Sequence, residues 1–262
     1  MGTLRYAVIT AFCCNGLAIA QASAQSAPAV DWSGFSVSAL AGGGILTPET
    51  DAEGLDPSAY FSAASDLKQL KDAGSGSPTE WDWSASLQVG YSRQFGNIVL
   101  GVGATGDLLL WDEKRSSTQD WISLAGTEFT LKQRVEADWM VALRPRLGWA
   151  QDNWLVYVMA GPTLSRLKIE TDYSDNVGTG AEGHSSDSET KLGYVIGIGG
   201  DYAIDKNWSV SAQYSYTDLG TVDTRTHVFN ASQAANPGDI DSSVDLSSHM
   251  AMIGFTYRFD AF

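Results

Sequence analysis

The feature that most restricts this chain is an alternation. In WDWSASLQVGYSRQF, residues 81–95, Trp81, Trp83, Ala85, Leu87, Val89, Tyr91 and Phe95 take odd positions. Asp82, Ser84, Ser86, Gln88, Gly90, Ser92 and Gln94 take even ones. A strand points successive side chains to opposite faces, so this segment has one apolar and one polar face. In a soluble sandwich the apolar face meets a protein core. In a membrane barrel it meets lipid, and the polar face lines the interior.

Seven more stretches read as strands, beginning with DWSGFSVSALAGGGIL and continuing through IVLGVGATGDLLLW, a fourth from Arg134 to Ala150, WLVYVMAGPTLSRLKI, KLGYVIGIGGDYAI, WSVSAQYSYTDLG and the C-terminal segment. Long polar stretches at about 47–80, 112–130, 171–190 and 221–243 alternate with tight turns at FGN, QDN and DKN. A meander with long connections on one side and short ones on the other predicts an all-β, eight-stranded antiparallel up-and-down transmembrane β-barrel. Closure also leaves no exposed sheet edge. Both termini and the short turns are then expected in the periplasm, with the four long loops outside.

The chain ends and the charge agree with that reading. MGTLR, a short apolar run and ASA before Gln25 predict a signal peptide over residues 1–24, with the barrel domain at 25–262. The apolar run, broken by Asn15 and Gly16, is too short for a spanning anchor, which needs about 20 apolar residues. Both cysteines, Cys13 and Cys14, fall in the expected leader, so no disulfide or thiolate chemistry is expected. A net charge of −15, with no basic block, excludes nucleic acid as a partner.

Aromatic residues flank the expected strands: Trp81 and Trp83 at one end, and Tyr91, Phe95, Trp149, Trp154, Tyr202 and Trp208 beside the short turns. Amphipathic rings at both interfaces form membrane girdles, whereas a sandwich buries its Trp residues near strand centres. The fourth strand carries Val135, Ala137, Trp139, Val141, Leu143, Pro145, Leu147 and Trp149 on one parity and Arg134, Glu136, Asp138, Arg144 and Arg146 on the other. Five charges cannot share a hydrophobic core, so they are expected to point into the lumen with Asp107, Asp201 and Gln213. Inward Gly101, Gly103, Gly197 and Gly199 would leave room for the long arginines. Such a network packs a narrow barrel; the alternative is a narrow diffusion channel lined by these charges.

Other signals are weaker. GVGATG matches a dinucleotide-binding pattern, but DLLLW continues the strand where that motif needs a helix. His184, His227 and His249 fit no metal spacing. GHSS and SSHM place serine beside histidine without an evident orienting acid, so no enzymatic activity is expected. No cofactor is required, although loop histidines are candidate axial ligands for haemin. Asp56 and Pro57 suit a helix start, with Phe61, Ala64 and Leu67 on one face before Gly74, so a short helix over the barrel mouth is expected.

WSGF, RPRLGW, WLVYVMAG, QYSYTDLG and GFTYRF together resemble the α-proteobacterial porin-like outer-membrane β-barrel proteins, the major surface proteins of rhizobia and brucellae with haemin-binding relatives. The resemblance covers the expected mature chain. It implies location in a Gram-negative outer membrane, surface exposure and a role in envelope integrity and host contact. The implied partners are outer-membrane lipids, lipopolysaccharide and the barrel assembly machinery, with the barrel itself a monomer. Two departures stand out. The family's inward Glu and Arg on the seventh strand are replaced by Gln213 and Ser215. The terminal assembly signal reads as Tyr257 and Phe259, yet DAF follows and moves the final aromatic to Phe262.

Overall fold

The computed structural model describes residues 30–54, 61, 63–75, 80–230 and 238–259. The expected signal peptide, Asp56, Pro57 and Phe262 lie outside them. The elements are β1 (Gly34–Gly54), α1 (Ala64–Gly74), β2 (Glu80–Phe95), β3 (Ile98–Asp120), β4 (Glu128–Gln151), β5 (Trp154–Asp175), β6 (Ala181–Ala203), β7 (Trp208–Asn230) and β8 (Gly238–Arg258). The eight strands pair antiparallel in chain order, and β1 pairs with β8 to close the barrel.

The three short turns are as expected. Gly96 takes a left-handed φ of 61° between β2 and β3, and Asp152 takes 52° between β4 and β5. Asp205 accepts hydrogen bonds from the backbone N–H groups of Asn207 and Trp208 between β6 and β7. In β2 the odd residues face outward and the even ones inward: Trp83 and Leu87 are 68% and 67% exposed, while Ser84, Ser86 and Ser92 are buried.

The long connections differ from expectation. Seven strands run 21 to 24 residues, about twice the 9–11 that cross a bilayer. The stretches 112–130, 171–190 and 221–243 are mostly strand, and β1 continues through Gly54 within 47–80. These stretches look like loops because their outward side chains are polar. Their inward ones still include Phe129, Tyr173, Val222 and Val228, which close a core.

The wall therefore has two halves. In the half nearest the short turns, apolar residues face out and polar ones in, as a membrane-spanning wall requires. In the upper half the order reverses. Strands make the change in two ways. In β3, β5 and β8 the apolar set switches parity: Leu100, Val102 and Leu108 face outward, then Leu109 and Trp111 inward. In β4 and β7 the apolar set keeps its parity and the backbone turns instead. Registers shift between Ala137 and Met140 and between Asp218 and Gly220. Gly220, with φ of 71°, supplies the left-handed conformation that this bulge requires.

Four layers fill the interior. At the turn end Trp32 lies under Val99, Leu155 and Tyr157. A polar layer follows, and above it sits an apolar cluster that includes Leu40, Leu46, Trp111, Met140, Leu167 and Leu246. At the top α1 packs its Leu70 and Ala73, with Phe61, against Trp121, Phe129 and Tyr173. The expected helix exists, but it begins at Ala64, which is exposed, and its buried face runs through Asp66, Gln69, Leu70 and Ala73. Gln69 fixes it to the β3–β4 hairpin, donating to the Asp120 carbonyl and accepting from the Ile122 N–H.

Candidate functional site

The polar layer joins residues from all eight strands. Arg144, on β4, donates from Nη2 to Asp107 Oδ2 on β3 at 3.1 Å, and both side chains are buried. Arg146 donates from Nε and Nη2 to Ser92 Oγ at 3.1 and 2.6 Å, while its Nη1 stands 4.0 Å from Asp201. Its guanidinium also lies 5.3 Å from the Tyr157 ring centre. Gln88 and Gln213 exchange amide hydrogen bonds at 2.9 and 3.1 Å, and Gln213 donates to the Tyr157 hydroxyl. A chain of hydroxyls, Ser211, Thr256 and Ser38, continues the network to β1.

Small residues make this layer possible. A Cβ on Gly101 would meet Arg146 Cγ at 3.0 Å, and one on Gly199 would meet the Tyr157 ring. The bulky inward groups are thus accommodated by glycines on the facing strands. Asp107, Arg144, Arg146, Asp201 and Gln213 all occupy the lumen, as the alternation predicts.

Arg134, Glu136 and Asp138 do not. The β4 bulge turns them onto the outer face, and Val135 and Ala137 inward at 4% and 1% exposure. Arg134 instead joins a surface ion-pair lattice, with Asp112 at 2.6 Å, Glu136 at 2.5 Å and Glu170 at 3.5 Å. Lys114 pairs with Asp112, and Lys168 with Glu170 and Glu136. The hydrogen bonds from Arg134 hold the Asp112 carboxyl well below the usual carboxylate range, and Asp112 in turn holds the Arg134 guanidinium above its own. Simple parity counting fails because nothing in the odd-numbered apolar series from Val135 to Trp149 marks the bulge.

Trp32 and Arg258 belong to the lumen and escaped the sequence reading. Arg258 stacks 4.2 Å over the Trp32 ring and donates to the Asp31 carbonyl. Their even parity, shared with inward Ser36, Ser38 and Thr256, was the available signal.

The aromatic residues expected at the interfaces, Trp81, Trp83, Tyr91, Phe95, Trp149, Trp154, Tyr202 and Trp208, all stand exposed on the outer face. Several touch: Trp154 with Tyr202 at 4.7 Å and Trp208 with Tyr257 at 5.1 Å across strands, and Tyr257 with Phe259, two residues on, at 4.9 Å between ring centres. The histidines also face outward. Nδ1 of His184 binds Asp172 and that of His227 binds Asp239, while Nδ1 of His249 binds the Tyr214 hydroxyl.

A family model described as outer membrane protein beta-barrel domain matches residues 11–259. The 31 kDa outer-membrane immunogenic protein of Brucella melitensis is 28% identical over 192 residues, covering 71% of this chain and 70% of its own. The 22 kDa outer membrane protein of Rhizobium leguminosarum is 25% identical over 164 residues, 63% of this chain and 65% of its own. Among solved structures, Ail, the attachment invasion locus protein of Yersinia pestis, aligns with 87% of this chain and 99% of its own, at 14% identity and a TM-score of 0.40. The Brucella and Rhizobium relatives accord with the α-proteobacterial resemblance, and both are outer-membrane proteins. With the family model spanning nearly all of its length, the chain belongs to the outer membrane protein β-barrel family and is a protein of the Gram-negative outer membrane.

Proposed function

We propose that this protein is a sealed structural barrel that spans the outer membrane and presents a rigid extension at the cell surface, with a role in envelope integrity and host or environmental contact. The observation that carries this reading is the apolar cluster above the polar layer. It draws residues from β1, β3, β4, β5, β7 and β8, and water cannot follow the lumen through it at low cost. Trp32 below and α1 above support the same reading. The short turns then lie in the periplasm and the upper half faces outside, in contact with lipopolysaccharide at its base. Reconstitution in planar bilayers is expected to give no steady conductance. A stable ohmic current lost on Arg144→Ala would instead establish a channel through the arginine layer.

The reading is non-enzymatic. Support comes from the two serine–histidine pairs: Asp172 does orient His184, but Ser185 points to the opposite face of β6 and bonds to Thr226, while His249 bonds to the Tyr214 hydroxyl. Haemin capture is a second reading, favoured by one observation: His184 and His227 line a single outward cavity of about 500 Å3, each with Nδ1 held by a carboxylate. Spectral titration of wild type, His184→Ala and His227→Ala decides it, since a Soret shift unchanged in both variants rules out these ligands.

A further inference from the structure

The polar layer carries an imbalance of charge. Between the apolar cluster and Trp32, the described inward side chains include Arg144, Arg146 and Arg258 but only two carboxylates, Asp107 and Asp201. Within this layer lies a cavity of about 30 Å3, lined by both Arg144 and Arg146, by the Ser36, Ser38 and Thr105 hydroxyls and by Gln88. Among the described residues, no carboxylate lines it. Arg144 is 4% exposed, and its Nε–H has no hydrogen-bond partner although Nη2 is held by Asp107. Ser38 accepts from Thr256, which leaves its own proton available to donate.

We propose that this cavity holds one monovalent anion of halide size. Asp107 and Asp201 stand beside Arg144 and Arg146, while Arg258 lies on Trp32 at the turn end. Three inward guanidiniums thus share two buried carboxylates, and the layer as a whole keeps a costly excess of positive charge. A water molecule would satisfy the Arg144 Nε–H but leave that excess charge in place. An anion satisfies both, with the Arg144 Nε–H and the Ser38 hydroxyl available to donate and Arg146 lining the same space. Size sets the class. One water needs roughly 10–15 Å3 of such space, so this cavity takes a single monatomic anion and excludes phosphate, sulfate and carboxylate ligands. The apolar cluster above and Trp32 below make the ion a resident part of the fold.

Bromide is the probe. Crystals of the folded barrel grown in sodium bromide should show an anomalous peak between Arg144 and Arg146. In Gln88→Glu a fixed carboxylate enters the cavity wall and should expel the ion, so the peak disappears. The variant should also lose the saturable rise in unfolding temperature that bromide or chloride gives over gluconate at equal ionic strength. An empty cavity in the wild-type bromide crystal overturns the proposal whether or not the variant folds. So does an undiminished peak in Gln88→Glu, or an unfolding temperature that rises equally in bromide and gluconate.

Discussion

The two halves of this barrel wall are built from the same strands by opposite rules. In the membrane half, Leu87, Leu100, Leu143 and Val158 face outward, and the interior holds an arginine, glutamine and hydroxyl layer. In the upper half, Phe129, Leu131, Ile169 and Val228 fill the interior, and the outer face carries the lattice of Asp112, Lys114, Arg134, Glu136, Lys168 and Glu170. The difference follows from the solvent. Lipid accepts apolar side chains, so the polar ones must satisfy each other inside. Water accepts the charges, so the apolar ones must gather inside. A continuous hydrogen-bonded strand can pass between these regimes by changing its residue pattern, or by a bulge that rotates an unchanged pattern.

Substitutions that test each half against the other are expected to differ most in the upper core. Phe129→Ala removes a fully buried ring and should cost about 3–5 kcal/mol. Phe255→Ala, on the lipid-facing wall, should cost much less in urea unfolding of the folded barrel, because lipid already surrounds that ring. Equal losses would deny that the upper half has a core of its own. Next comes charge. Leu87→Arg places a guanidinium on the lipid face and should destabilise by about 2–4 kcal/mol. Ser116→Arg, outward on the upper wall, should change stability by less than about 0.5 kcal/mol. Heat-modifiable gel migration and urea titration in lipid vesicles read both, and a Ser116→Arg loss as large as that of Leu87→Arg would place lipid around the upper wall.

The bulges come third. Gly220→Ala adds a Cβ to a left-handed residue at the β7 switch and should cost about 1–2 kcal/mol, also read by urea titration. An unchanged midpoint would mean that β7 passes the switch without this bend. The smallest effect belongs to the surface lattice. The Asp112 pKa is depressed in the folded state, so its contribution is present above the unfolded carboxylate pKa of about 3.9 and is lost as pH falls below that value. Asp112→Asn should therefore lower stability slightly at neutral pH and match wild type in strong acid. The difference stays small because both partners are about one-third exposed.

The sequence made the membrane half legible and the upper half less so. Strand β2, the short turns and the inward placement of Arg144, Arg146, Asp107, Asp201 and Gln213 follow from period-two alternation, because lipid demands an unbroken apolar face. The upper half puts Thr, Ser and charged residues on its wet face, which looks like loop composition although Leu131, Ile169, Val222 and Ile240 still alternate inside. Position 134 shows the sharper failure. From Val135 to Trp149 every odd position is apolar, yet the structure turns Val135 and Ala137 to the core and Val141 and Leu143 to lipid. The odd series cannot reveal that turn, because both environments select apolar side chains. The mark lies at the even positions, where Met140 and Ala142 make WMVAL apolar on both faces. In β3 the switch leaves the same kind of mark. LLLW is apolar on both faces, with Leu108 and Leu110 outward and Leu109 and Trp111 inward.

The β4 bulge is the point on which the two-regime account rests most directly, and cysteine labelling reads it residue by residue. Expressed from Gln25 onward the chain contains no cysteine, so single replacements at residues 134 to 137 can be probed with a membrane-impermeant maleimide on the folded barrel. The account predicts rapid labelling of Arg134→Cys and Glu136→Cys and protection of Val135→Cys and Ala137→Cys. Protection of the even positions with labelling of the odd ones would mean an unbroken alternation through β4, and would contradict it.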